Sequence, residues 1–185
     1  DGFYRLSATV VLVPTQYNFH EGVLLMELVT DGDGDPAPRL NDVDFTEDEA
    51  YTHHRSLMAQ VVRMLCAGVV HGDLSEYNVL LGAEGPVIID LPQAVDAAGN
   101  NHASSMLERD VGNLTAFFGR FAPGLLTTDY GKEIWSLYED GALHPAVELT
   151  GRFERSVKPV DLDSVMLEIN DARAEDAARR LRMQG

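Results

Sequence analysis

A chain of 185 residues with 45% apolar residues is long enough for one good core or two small lobes. Its formal charge of −16, from 14 Lys and Arg against 30 Asp and Glu, disfavours nucleic-acid binding, which depends on clustered cations to neutralise phosphates. No apolar run reaches the roughly 18 residues of a membrane span, no basic-then-apolar leader opens the chain, and the single cysteine, Cys66, has no internal disulfide partner, so a cytoplasmic protein away from membranes is expected.

In chain order, residues 8–13 are β-branched and apolar and read as a strand stopped by Pro14. A polar loop over 15–20 leads to a second strand over 22–29. Residues 30–41 form a loop rich in Asp, Gly and Pro; its DGDGD run lacks the further acid and flanking helices of a calcium-binding hand. Thr46 and Glu49 make a capping box that opens a helix to about Ala67, with Ala50, Leu57, Met58, Val61, Val62 and Leu65 on one face and Gly68 as its stop. His53 and His54 have no acid at ligand spacing and read as surface or hydrogen-bonded residues, and Cys66 as a small buried hydrophobe. A later helix over 104–121 turns Leu107, Val111, Leu114 and Phe118 inward. After a break at Pro123-Gly124, a helix over 128–140 offers Ile134, Trp135 and Tyr138 as anchors. An amphipathic helix over 161–183 ends in Arg179, Arg180 and Arg182, cations that suit a C-terminal dipole.

The chemistry is concentrated in residues 69–96, VVHGDLSEYNVLLGAEGPVIIDLPQAVD. A short strand delivers His71-Gly72-Asp73, Asn78 follows five residues after Asp73, and two apolar runs separated by the turn-forming residues 82–86 end on Asp90. Phosphoryl transfer needs such a set: one carboxylate to orient or deprotonate a hydroxyl, and an amide oxygen plus a second carboxylate to hold Mg²⁺ on the phosphates. The hairpin between Asn78 and Asp90 is expected to bring them to one strand-end mouth.

This pattern resembles the H-x-D-x-x-x-x-N loop and following metal-binding Asp of protein kinases. Gly72 stands where most of them carry Arg, and Asp90-Leu91-Pro92 where they carry Asp-Phe-Gly. HGDLSEYN followed by IIDLPQAVD is similar to the RIO family of atypical serine/threonine protein kinases, over residues 21–121. The resemblance implies an α+β, protein-kinase-like fold, with the end of an N-lobe and hinge over 1–29 and a mostly helical C-lobe over 30–185. It implies ATP-dependent phosphoryl transfer, as a kinase or ATPase, with ATP and Mg²⁺ as cofactors and a protein substrate that the sequence does not identify. Asp73 then takes the catalytic acid-base role and Ser75 a phosphate-side contact, where protein kinases commonly carry lysine. Asn78 and Asp90 become metal ligands, and Asp90 is either a ligand alone or also the acceptor of the γ-phosphate. On the nucleotide side Met26 takes the gatekeeper position, the backbone of Glu27 and Val29 faces adenine, and Pro36 lies against ribose or base. Leu80 and Ile89 floor the pocket, unless both are simply core residues of the hairpin. About a dozen residues and no Ala-Pro-Glu separate Asp90 from the next helix, matching the family's lack of an activation segment.

A kinase also needs a glycine-rich loop and a strand lysine for the phosphates. The chain has only two lysines, Lys132 and Lys158, and none before the hinge, so it is expected to be a fragment with little turnover of its own. Two other readings share the same residues. A small-molecule phosphotransferase of the aminoglycoside or choline type has the same H-G-D…N…D arrangement, and a kinase-like lobe could bind nucleotide without catalysis.

Overall fold

The computed structural model describes residues 11–20 and 23–153. Its elements run β1 (Gln16–His20), β2 (Val23–Met26), α1 (Glu47–Cys66), β3 (Val69–Val70), β4 (Val79–Gly82), β5 (Gly85–Ile88), β6 (Val95–Asp96), α2 (Ala103–Phe118) and α3 (Tyr130–Glu139). The strands pair antiparallel, β1 with β2, β3 with β6 and β4 with β5. Among the described residues, three α-helices beside small antiparallel sheets give the α+β class that the resemblance implied.

The expected capping box opens α1: Thr46 Oγ1 accepts from the Glu49 N–H at 3.3 Å, and Glu49 Oε2 accepts from the Thr46 N–H at 2.8 Å. Its six predicted inward residues are all buried, and Gly68 closes the helix in the left-handed region at φ 76°. Helix α2 packs against both α1 and α3, burying Leu107, Val111, Leu114 and Phe118 as the 3.6-residue period requires. Full burial of each such side chain contributes about 1.5–3 kcal/mol. His54 reaches from α1 to α2, with Nε2 at 3.0 Å from Thr115 Oγ1, so it is the hydrogen-bonded histidine of the expectation. Half-buried His53 meets the Phe45 ring edge-on at 5.4 Å between centroids.

Several boundaries differ from the sequence reading. Residues 11–13, expected in a strand, lie outside any strand, whereas β1 forms over the predicted polar loop. The backbone of Leu12 is engaged elsewhere: its N–H donates to Gln60 Oε1 at 3.1 Å and its C=O accepts from the Ile88 N–H at 2.9 Å. Polar Gln16–His20 becomes a strand because β2 supplies ladder partners, and backbone pairing does not require apolar side chains. The β4–β5 turn is also tighter than expected, with Gly82 paired to Gly85 and only Ala83-Glu84 between them. Pro86 fits within β5, its carbonyl accepting from Gln60 Nε2 at 2.8 Å.

Cys66 is exposed rather than buried, because as the last residue of α1 it falls outside the inward stripe of Val61, Val62 and Leu65. Partial desolvation pushes its thiol pKa up, which keeps it a poor nucleophile. Helix α2 ends at Phe118, three residues early, and a 3-10 turn over Pro123–Thr127 leads to α3. Of the three α3 anchors only Ile134 is fully buried, while Trp135 and Tyr138 are half-buried and tilt against each other at 5.2 Å. The predicted helix over 161–183 lies outside the described residues. Among the described residues no helix is long and apolar enough to cross a membrane.

Candidate functional site

The loop after β3 carries Asp73 into solvent on a backbone that its surroundings hold tightly. Gly72 adopts φ 84°, and a Cβ there would lie 2.6 Å from Met106 Cε and 3.0 Å from the Gln93 carbonyl oxygen. The arginine common in protein kinases at this position therefore has neither the space nor the backbone conformation. Buried His71 accepts at Nδ1 from the Asp73 N–H at 3.3 Å. Its other nitrogen, Nε2, must then carry the proton and donate to the Ile89 carbonyl at 2.9 Å. One imidazole thus ties the Asp73 loop to the residue before Asp90.

Asn78 completes the same turn. Its N–H donates to the Ser75 carbonyl at 3.0 Å, and its side-chain Nδ2 donates to the Asp73 carbonyl at 2.7 Å. With Nδ2 engaged, Oδ1 is the amide's free face for a cation. The Asn78 carbonyl accepts from the Ile89 N–H at 3.0 Å, continuing the β4–β5 ladder and setting Asp90 next in line. Asp90 is exposed, in the left-handed region at φ 61° and ψ 58°. The structure thus brings Asp73, Ser75, Asn78 and the backbone before Asp90 into one hydrogen-bonded unit. Among the described residues no three His, Cys, Asp or Glu side chains gather as a metal site of their own. The amide oxygen of Asn78 and the carboxylate of Asp90 fit a hard cation that takes its remaining oxygens from water and a phosphate ligand.

Sequence reasoning missed Asp110, Arg109 and Asn113 on α2. Asp110 is 2% exposed, and its two oxygens accept from the Gly72 N–H at 2.7 Å and the Leu74 N–H at 3.1 Å. Burial pushes its carboxyl pKa up, opposed by those two N–H groups and by the positive charge of Arg109. Arg109 Nη2 donates to the Gly72 carbonyl, and Asn113 Nδ2 donates to the Leu74 carbonyl at 3.1 Å. A signal existed: Asp110 is an acid on the stripe between Leu107 and Leu114, where an unsatisfied charge is costly.

The predicted nucleotide residues are less concentrated. Glu27 and Val29 line a cavity of about 360 Å³ with Leu12, Pro14 and the hairpin tip at Gly82–Glu84, whereas Met26, Pro36, Leu80 and Ile89 do not line it. The Glu27 N–H is bound to the Thr15 carbonyl at 2.7 Å and the Val29 carbonyl to the Ala37 N–H at 2.9 Å. Met26 and Pro36 are exposed. Leu80 and Ile89 are half-buried, and strand alternation sets them on the opposite face from fully buried Val79 and Ile88.

The chain is similar to known proteins over much of its length. The RIO domain family matches residues 2–130. The chain is 42% identical over 117 residues to the RIO-type serine/threonine-protein kinase Rio1 of Haloferax volcanii, covering 63% of this chain and 39% of that protein. To the serine/threonine-protein kinase rio1 of Schizosaccharomyces pombe it is 35% identical over 127 residues, covering 66% of this chain and 25% of that one. To the RIO-type serine/threonine-protein kinase Rio1 of Thermoplasma acidophilum it is 37% identical over 112 residues, 58% of this chain and 54% of that one. The chain thus spans from a quarter to a little over half the length of these relatives. With the family match extending over β1, β2, the Asp73 loop, the β4–β5 hairpin and α2, this chain belongs to the RIO domain family.

Proposed function

We propose that the chain carries the catalytic and metal-binding loops of an ATP-dependent RIO-type serine/threonine protein kinase or ATPase. Residues 1–29 form the end of an N-lobe with its hinge, and residues 30–185 the C-lobe. The observation that carries this reading is the single hydrogen-bonded unit joining Asp73, Asn78 and Ile89-Asp90, with the Asp73 and Asp90 side chains exposed. Asp73 accepts the proton of the attacking serine or threonine hydroxyl, and Ser75 donates to a phosphate oxygen. Asn78 Oδ1 and the Asp90 carboxylate would hold Mg²⁺, which when bound neutralises charge on the phosphates. At the hinge, the Glu27 carbonyl and Val29 N–H face the adenine edge beside Met26. Pro36 covers the ribose side, and Leu80 and Ile89 floor the base. A cytoplasmic setting agrees with an exposed, unpaired Cys66.

Calorimetric titration of Mg-ATP into residues 1–185, and into Asn78→Ala and Asp90→Ala, tests this reading. Binding that needs Mg²⁺ and is lost in both variants, with circular dichroism unchanged, supports it. No binding, or binding indifferent to both substitutions, overturns it.

A further inference from the structure

The three residues around the proposed catalytic acid leave no polar backbone atom to chance. The Gly72 N–H and Leu74 N–H donate to Asp110, the Gly72 carbonyl accepts from Arg109, and the Leu74 carbonyl accepts from Asn113. Between them, the Asp73 N–H donates to His71 and the Asp73 carbonyl accepts from Asn78. All six bonds are made by side chains, five in number because Asp110 takes two; none is a strand or helix ladder. Two carbonyls and two N–H groups are held from one stretch of α2, by residues 36 to 39 positions away. Gly72 has no side chain of its own to anchor the turn at φ 84°, and without a Cβ the peptide planes on either side can reorient unless something holds them.

We propose that Arg109 and Asn113 are positioning residues for phosphoryl transfer: by fixing the carbonyls on either side of Asp73 they set the direction of its carboxylate. This rests on the kinase reading of the same site. Neither residue is needed to hold nucleotide, because the proposed metal ligands Asn78 and Asp90 lie just before β4 and two residues past β5, not on α2. Their loss is therefore expected in turnover and loop order, and not in nucleotide affinity. An error of this kind in the placement of a catalytic group is costly even when every reacting side chain is present.

The test uses residues 1–185 with Arg109→Ala, Arg109→Lys and Asn113→Asp. The last variant keeps the size of the side chain and replaces its donor with an acceptor facing the Leu74 carbonyl. Three quantities are read: amide hydrogen exchange at Gly72, Asp73 and Leu74, Mg-ATP affinity by calorimetry, and ATP turnover at saturating Mg-ATP. Arg109→Ala and Asn113→Asp are each expected to speed exchange at these amides by about tenfold, the scale of one lost hydrogen bond, with α1 amides unchanged. Turnover falls by a similar factor, affinity stays within about twofold, and Arg109→Lys restores both exchange and turnover. Unchanged exchange, a rise in exchange that includes α1, or affinity falling in step with turnover each overturns the proposal. If the unsubstituted chain shows no turnover, exchange decides the clamp, and failure of Mg-ATP binding separately marks failure of the kinase reading.

Discussion

Asp90 is the one non-glycine residue with positive φ among those described, a conformation that L side chains adopt at a cost and that tends to persist where function requires it. Asp90→Gly and Asp90→Ala both remove the proposed metal ligand, but only Ala keeps the clash of its Cβ in the left-handed region. Asp90→Gly is therefore expected to be more stable than Asp90→Ala by about 1 kcal/mol in urea unfolding, with Mg-ATP binding lost equally in both. Equal stability would show that the backbone there is not strained. At Gly72 the constraint is doubled by the Gln93 carbonyl and the Met106 side chain. Gly72→Ala should lower stability by about 2 kcal/mol, since Ala meets both the φ penalty and an overpacked wall. A thermal midpoint like that of the unsubstituted protein would rule this out.

At the scale of elements, α1 and α2 meet through a buried histidine as well as through aliphatic side chains. Burial pushes the His54 pKa down from 6.5 to about 4, so the folded protein refuses a proton that the unfolded chain accepts. Stability from this group is complete above pH 6.5 and declines as pH falls toward 4, by on the order of 3 kcal/mol over the whole window. His54→Gln, which keeps a hydrogen-bonding group for Thr115, should shrink the difference between urea midpoints at pH 7 and pH 5. An unaltered difference would assign the acid sensitivity to other groups. The start of α1 offers a cleaner case: Thr46→Ala removes the hydroxyl that accepts from the Glu49 N–H, leaves the Thr46 N–H donating to Glu49, and is expected to cost about 1 kcal/mol, read from the denaturation midpoint.

Taken whole, residues 1–185 combine a hydrogen-bonded Asp73–Asn78–Ile89 unit with a charge of −16 and only two lysines, Lys132 and Lys158. Residues 1–185 are accordingly expected to turn over labelled ATP only slowly; strong metal-dependent phosphorylation, abolished by Asp73→Ala, would contradict this. The amino-acid sequence by itself determined what depends on neighbours along the chain. The spacing of Asp73, Asn78 and Asp90 around a hairpin, the capping box of α1 and the inward stripes of α1 and α2 are all local patterns, and each recurs in the folded protein. Only the tertiary structure decided the rest. Whether residues 11–13 join a ladder depended on Gln60 and Ile88, 48 and 76 positions away, and the polar β1 formed because β2 came to meet it. The hold on Asp73 by Arg109, Asp110 and Asn113 likewise joins residues 36 to 39 positions apart. Periodicity marks which face of α2 turns inward, but a buried polar group's partner is set by which backbone atoms the packing leaves unsatisfied.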